Sequence, residues 1–224
     1  MITMFRVSAA IVGTLFRFLL ARITAGRRNW KVSMSGKKVE TMYFPQPFTR
    51  DPHVLVWIAG FSFAATRNVA LAAYPMDISS SSFVLNMIAL NDRLGVWVGR
   101  GDSMQSATVT WVAVRQDMDG ISMGNAFFDN SGPLSQAKAS NNGRALFDPQ
   151  CHFNHPPQVL IAVNKLNIDP QLDLRFEASA ANVTNEGFRW NLDSWDDSVI
   201  LSGGLSWIAF ASNKQGGLTG TRTL

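Results

Sequence analysis

The chain has 224 residues, 46% hydrophobic and 16% charged, a composition that excludes a disordered chain and allows one large or two small domains, each able to bury a core. The net charge of +4 misleads: residues 1 to 39 hold eight of the twenty Lys and Arg and no acid, so twelve bases face sixteen acids in a mildly acidic remainder with little reason to bind nucleic acid. A single cysteine, Cys151, excludes an intrachain disulfide and leaves the redox compartment open.

Residues 1–38 read as a basic leader. Its apolar stretch, Val7 to Leu20, is interrupted by Arg17 and falls short of the roughly 20 apolar residues that a bilayer-spanning helix wants. Three readings stay open: a secretory signal, an amphipathic targeting peptide with Arg6 and Arg17 on one side of a helix, and an unstructured leader ahead of a body that begins near Met34. Arg27-Arg28 is a processing site or a solvated basic cluster.

Residues 39–115 carry short apolar runs. Tyr43 to Phe48 leads through Asp51-Pro52 into the branched run His53 to Ala59, and weaker runs follow at Asn68 to Leu71, Ser82-Phe83 and Thr110 to Ala113. An insertion lies around Arg93 to Gln105. Gln116 to Phe147 is rich in Gly, Ser and Asn around one apolar patch, Ala126-Phe127-Phe128. This stretch reads as a linker and a first strand, with Ser140 to Arg144 as a turn.

Pro156 to Phe210 holds four period-2 runs. Gln158 to Ile168 is apolar and is expected to break at Asp169-Pro170. In the next run Leu174, Phe176, Ala178 and Ala180 share one face, with Arg175, Glu177 and Ser179 on the other. A turn at Asn182 to Gly187 leads to Phe188, Trp190 and Leu192 on one face and Arg189, Asn191 and Asp193 on the other. Ser194 to Ser198 breaks that run, and the last ends with Leu205, Trp207 and Ala209 aligned. The earlier runs repeat this order at a period of about 100 residues, which suits tandem domains. Ala70 then stands at the place of Arg175, and Leu90 at that of Trp195. The fold class expected is all-β, two tandem antiparallel β-sandwich domains of about six strands each, over residues 39–115 and 116–212, with a tail at 213–224.

The proline-led strand Pro156 to Val163, Leu174-Arg175 five residues after Asp169, Asn182-Val183-Thr184, Gly187-Phe188, Ser194-Trp195 and Leu205-Ser206-Trp207-Ile208 together resemble the H-type lectin family, the snail agglutinin and discoidin C-terminal type. The resemblance implies a metal-free, cofactor-free carbohydrate-binding protein rather than an enzyme. It also implies glycan partners of the N-acetylgalactosamine or galactose type, and trimers or hexamers with sites at subunit boundaries. The site residues it implies are Arg175, Trp195 and Asp196, the last where the snail agglutinin carries a His, with Gly143 and Arg144 from the loop ahead of the Pro-Pro strand. Leu201 stands in place of a Tyr. The first copy lacks the Arg and the Trp and reads as a structural or assembly domain. An extracellular place is expected, with a cytoplasmic one as the alternative.

The chemistry agrees with those roles and also with blander ones. A guanidinium on a polar strand face can grip two sugar oxygens, or it can form a cross-strand ion pair with an acid such as Asp193. An indole at a strand end can cover the C–H face of a pyranose, or it can be a rim aromatic. Asp193, Asp196 and Asp197, and Cys151 with His152 and His155, are grouped as metal ligands often are, but with neither an EF-hand loop nor a zinc spacing. No nucleophile-elbow, Walker or Rossmann signature occurs, while a glycosidase pair from Asp173, Asp193 and Asp196 stays open on spacing. The Asn182-Val183-Thr184 sequon belongs to a turn and says little about secretion.

Overall fold

The computed structural model of the chain describes residues 3–6, 23–34, 36–63, 69–90, 104–130, 139–170, 174–196 and 198–211. Every regular element among them is a β-strand: β1 (Thr3–Arg6), β2 (Ile23–Met34), β3 (Gly36–Tyr43), β4 (His53–Phe63), β5 (Val69–Met76), β6 (Ser82–Leu90), β7 (Met104–Val114), β8 (Ile121–Asp129), β9 (Ser140–Leu146), β10 (Gln158–Pro170), β11 (Phe176–Ala181), β12 (Gly187–Ser194) and β13 (Ser198–Phe210). All pairings are antiparallel. The sheet orders are β1-β4-β7-β2, β3-β6-β5-β10-β13-β8 and β11-β12-β9.

Those orders contain the same six-strand unit twice. β2-β7-β4 and β3-β6-β5 make the first copy, β8-β13-β10 and β9-β12-β11 the second, and the β5–β10 ladder fuses one sheet of each. The cores repeat in detail. In the first, Phe44 stacks on Phe83 at 5.8 Å and Phe83 meets Trp111 edge-on at 5.2 Å; in the second, Phe147 stacks on Phe188 at 5.9 Å and Phe188 meets Trp207 at 5.3 Å. Offset-stacked and T-shaped pairs are the low-energy aromatic geometries, so each sandwich closes around one preferred three-ring arrangement. The alternation expected is clearest in β12, whereas β13 is buried on both faces, with Ile208 packed into the contact between the copies. Phe188, Trp190, Leu192, Leu205, Trp207 and Ala209 are all buried, while Arg189 is exposed.

The copies are also packed face to face. Leu55, Trp57, Val112 and Val114 of the first form an apolar cluster with Ile121, Ala162 and Ile208 of the second. Within that contact the Ser206 hydroxyl donates to the Val56 carbonyl at 2.8 Å, which satisfies a buried polar group inside it.

Three expectations need correction. Ser140 to Arg144 lies within strand β9 rather than a turn. Its Gly143 is opposite Trp190, and a Cβ at that glycine would come within 2.5 Å of the ring, so the indole lies over bare backbone. Gly26 against Trp111 and Gly124 against Trp207 repeat the device. Asp169-Pro170 does not end its strand, because β10 runs on to Pro170 in register with Val199 and Ser198. Residues 23–38, grouped with the leader by charge, form β2 and the start of β3, so strand structure begins well ahead of residue 39. An edge strand tolerates Arg27, Arg28 and Asn29, which are exposed while the backbone pairs with β7. Most of the leader, the insertion up to residue 103, Asp173, Asp197 and the 213–224 tail lie outside the described residues.

Candidate functional site

β12 ends at Ser194, whose N–H donates to the Ala139 carbonyl at 2.6 Å, and the chain bends before β13 begins at Ser198. Asp196 in that bend has φ of 54°, the left-handed region that Asp enters more readily than most residues. This turn pushes Trp195 outward. The residue is 47% exposed in a chain whose other described tryptophans with assigned burial (Trp57, Trp111, Trp190 and Trp207) are buried.

Arg175 immediately precedes β11. Extending the β11–β12 register by one residue beyond Phe176↔Ser194 sets Arg175 opposite Trp195. Its backbone N–H donates to the Ser198 hydroxyl at 2.9 Å, tying the two strand ends together. Its Nη1 donates to Asp196 Oδ2 at 2.6 Å, with both side chains partly in water. Arg175, Trp195 and Asp196 are thus brought together at one end of the three-stranded sheet. Among the described residues the acid paired with the guanidinium is Asp196 rather than Asp193, which accepts from the Ser140 hydroxyl at 2.6 Å. A partly exposed pair of this kind contributes about 0–1 kcal/mol to stability, so the fold does not depend on it.

Gly143 and Arg144 are elsewhere. In the β9–β12 register they face Trp190 and Arg189, while Ser140 faces Asp193 beside the trio. The glycine is covered by the indole, and Arg144 lies 3.8 Å from Glu186 at the opposite end of the sheet. Leu201 is buried on β13. In the first copy the corresponding register position pairs Ala70 with Leu90, without a guanidinium or an indole. An apolar crevice at the seam, lined by Leu55, Trp57, Leu160 and Ile208, includes none of the five expected site residues.

Among the described residues no group of three or more His, Cys, Asp and Glu is arranged to hold a metal ion. The Cys151 thiol donates to the Ile121 carbonyl at 2.8 Å. Burial, with the carboxylates of Asp148 and Asp119 nearby, pushes that thiol's pKa up.

A doubled six-strand sandwich thus carries an exposed tryptophan and a partly exposed arginine at the strand ends of one sheet. The H-type lectin domain model matches residues 39–114 and 147–210, more than half of the sequence, and the chain belongs to that family of carbohydrate-binding lectins, as two tandem copies. Curated proteins give no match. Among solved structures, recombinant discoidin II of Dictyostelium discoideum is similar at 12% identity, with 84% of this chain and 83% of that one covered and a TM-score of 0.36. Wild-type discoidin II of the same organism is similar at 14% identity, with 84% and 82% covered and a TM-score of 0.35.

Proposed function

We propose that the second copy binds glycans through Arg175, Trp195 and Asp196, and that the first copy serves assembly. What supports this reading is a half-exposed Trp195 next in the chain to Asp196, whose carboxylate pairs with Arg175, at a register position where the first copy has Ala70 and Leu90. An indole face takes the apolar C–H side of a pyranose ring, and a guanidinium supplies donors to hydroxyl oxygens. Asp196, a carboxylate, accepts from sugar hydroxyls and orients the arginine. The ligand class is a galactose-type or N-acetylgalactosamine-type terminal sugar, as the family resemblance implies. Because Asp196 can only accept, it favours sugars that turn hydroxyl donors toward it.

One shallow site binds weakly, so homo-oligomeric assembly would raise avidity for clustered extracellular glycans. A glycan array and titration calorimetry on wild type, Arg175→Ala and Trp195→Ala test the reading. Each variant should lose at least about 10-fold in affinity, equivalent to about 1.4 kcal/mol. Its thermal unfolding should stay near wild type, because both groups are partly exposed. Unchanged affinity in both variants would overturn the assignment of the sugar site to Arg175 and Trp195.

A further inference from the structure

The two copies differ in what covers one strand edge. In the second copy, β10 has irregularities between Val163 and Lys165 and between Asn167 and Ile168; in the first, β4 has them between Ile58 and Gly60 and between Ser62 and Phe63. These matching bulges align Gly60, Phe61, Ser62 and Phe63 with Lys165, Leu166, Asn167 and Ile168. On β10 those four residues pair with Ala72, Leu71, Ala70 and Val69 of β5, the ladder that fuses the copies. On β4 the corresponding four pair with Arg6, Phe5, Met4 and Thr3 of β1. Residue for residue, β1 stands on the first copy where β5 stands on the second.

The fusion is head-to-tail: a β5-type strand of one unit meets a β10-type edge of the next. In the second copy the β5-type strand is β11, the last of its sheet among the described residues, and the segment Leu174 to Glu177 that leads into it corresponds to Val69 to Ala72. The same contact could be made once more, by β11 of one chain to β4 of another, were β1 not already there. A heterologous contact that repeats closes into a ring or extends into a filament, so a strand on the accepting edge limits assembly.

We propose that the Gly60 to Phe63 edge of β4 is a strand-accepting site for a second copy of this chain. β1 holds that edge in cis, and when β1 leaves, the β11 end of the second copy takes its place. The interaction is strand addition, in which main-chain hydrogen bonds carry the affinity. It continues the β5–β10 seam already present within the chain, and it uses main-chain groups of a segment that also carries Arg175.

The test uses the full chain carrying Met4→Pro and Phe5→Pro, since neighbouring strand residues turn their N–H groups to opposite edges and one of the two prolines therefore removes a ladder donor that faces β4. In sedimentation velocity across a concentration series, the variant should shift to multiples of the chain mass under conditions in which wild type does not. A synthetic peptide of residues 1–8 added in excess should reverse the shift. Circular dichroism and a thermal melt monitor whether the variant keeps its fold. Identical sedimentation of a folded variant and wild type, or assembly that the peptide does not reverse, overturns the proposal. Adding Glu177→Pro to the variant checks the partner strand: assembly that persists in that triple variant overturns the assignment to β11. If the triple variant loses its strand signal, a peptide of residues 174–181 serves instead. It should compete with assembly of the double variant, and its failure to do so overturns the same assignment.

Discussion

Arg175 and Trp195 were legible in the sequence for a simple reason. A period-2 run sorts its residues onto two faces, so a polar or aromatic residue out of phase with the core, or just past a strand end, is marked as facing water. The identity of the arginine's partner was not legible. Asp193 lies closer in the alternation, but Asp196, in a left-handed turn, is the one whose carboxylate accepts from the guanidinium, and an Asp only weakly marks such a turn in a sequence that has Asp at 193, 196 and 197 alike. Cys151 offers a pH prediction at the same scale. Burial first, and the negative charges of Asp148 and Asp119 next, raise its pKa above the ordinary value of 9.0. The folded chain therefore keeps the thiol protonated where the unfolded chain would lose the proton. The thiol's contribution is fully present below the ordinary thiol range and is lost as pH rises through the raised value. Urea midpoints measured from pH 7 to 10.5 should fall more steeply at the alkaline end for wild type than for Cys151→Ala. Parallel curves would show that the thiol is not linked to folding.

Among the elements, β9 and β2 escaped the sequence reading because both break the rule that strands look apolar and branched. Asn141, Asn142, Gly143 and Arg144 have turn composition, yet β12 supplies a partner strand and Trp190 a ring that needs a side chain of no size opposite it. Tertiary packing outweighs local propensity there, and the signal that could have found it is a glycine spaced to meet a tryptophan across the sheet. β2 was hidden by Arg27 and Arg28, which an edge strand exposes at little cost; Arg28 reaches Glu40 on β3 at 2.6 Å. The Gly–Trp contact is measurable. Gly143→Ala places a methyl within 2.5 Å of the Trp190 ring and forces either the indole or the strand to shift. Overpacking of this kind costs about 1–3 kcal/mol, to be read as a lower midpoint in urea unfolding. A change under about 0.5 kcal/mol, the size typical of surface substitutions, would mean that the ring moves freely and that β9 is held by its ladder alone.

For the molecule as a whole, the period of about 100 residues pointed to tandem units, but not to how they join. Separate beads on a linker and a fused pair share one sequence pattern, because the joining surface is the outer side of strands whose inner side already accounts for the alternation. Leu55, Trp57, Val112, Ala162 and Ile208 are buried on that outer side, and β10 shares a ladder with β5 across the seam. The two copies should therefore unfold together, in one transition. A fragment of residues 116–212 would expose Ala162, Ile208 and Ile121 to water and would leave the Lys165 to Ile168 edge of β10 unpaired. Each large apolar side chain so exposed costs about 1.5–3 kcal/mol, against total stabilities of about 5–15 kcal/mol for natural domains. That fragment should melt well below the full chain or aggregate through its open edge, whatever the state of its sugar site. Calorimetry of the full chain and the fragment decides the matter: two separable transitions in the full chain, or a fragment as stable as the whole, would show the seam to be a contact of convenience between independent domains.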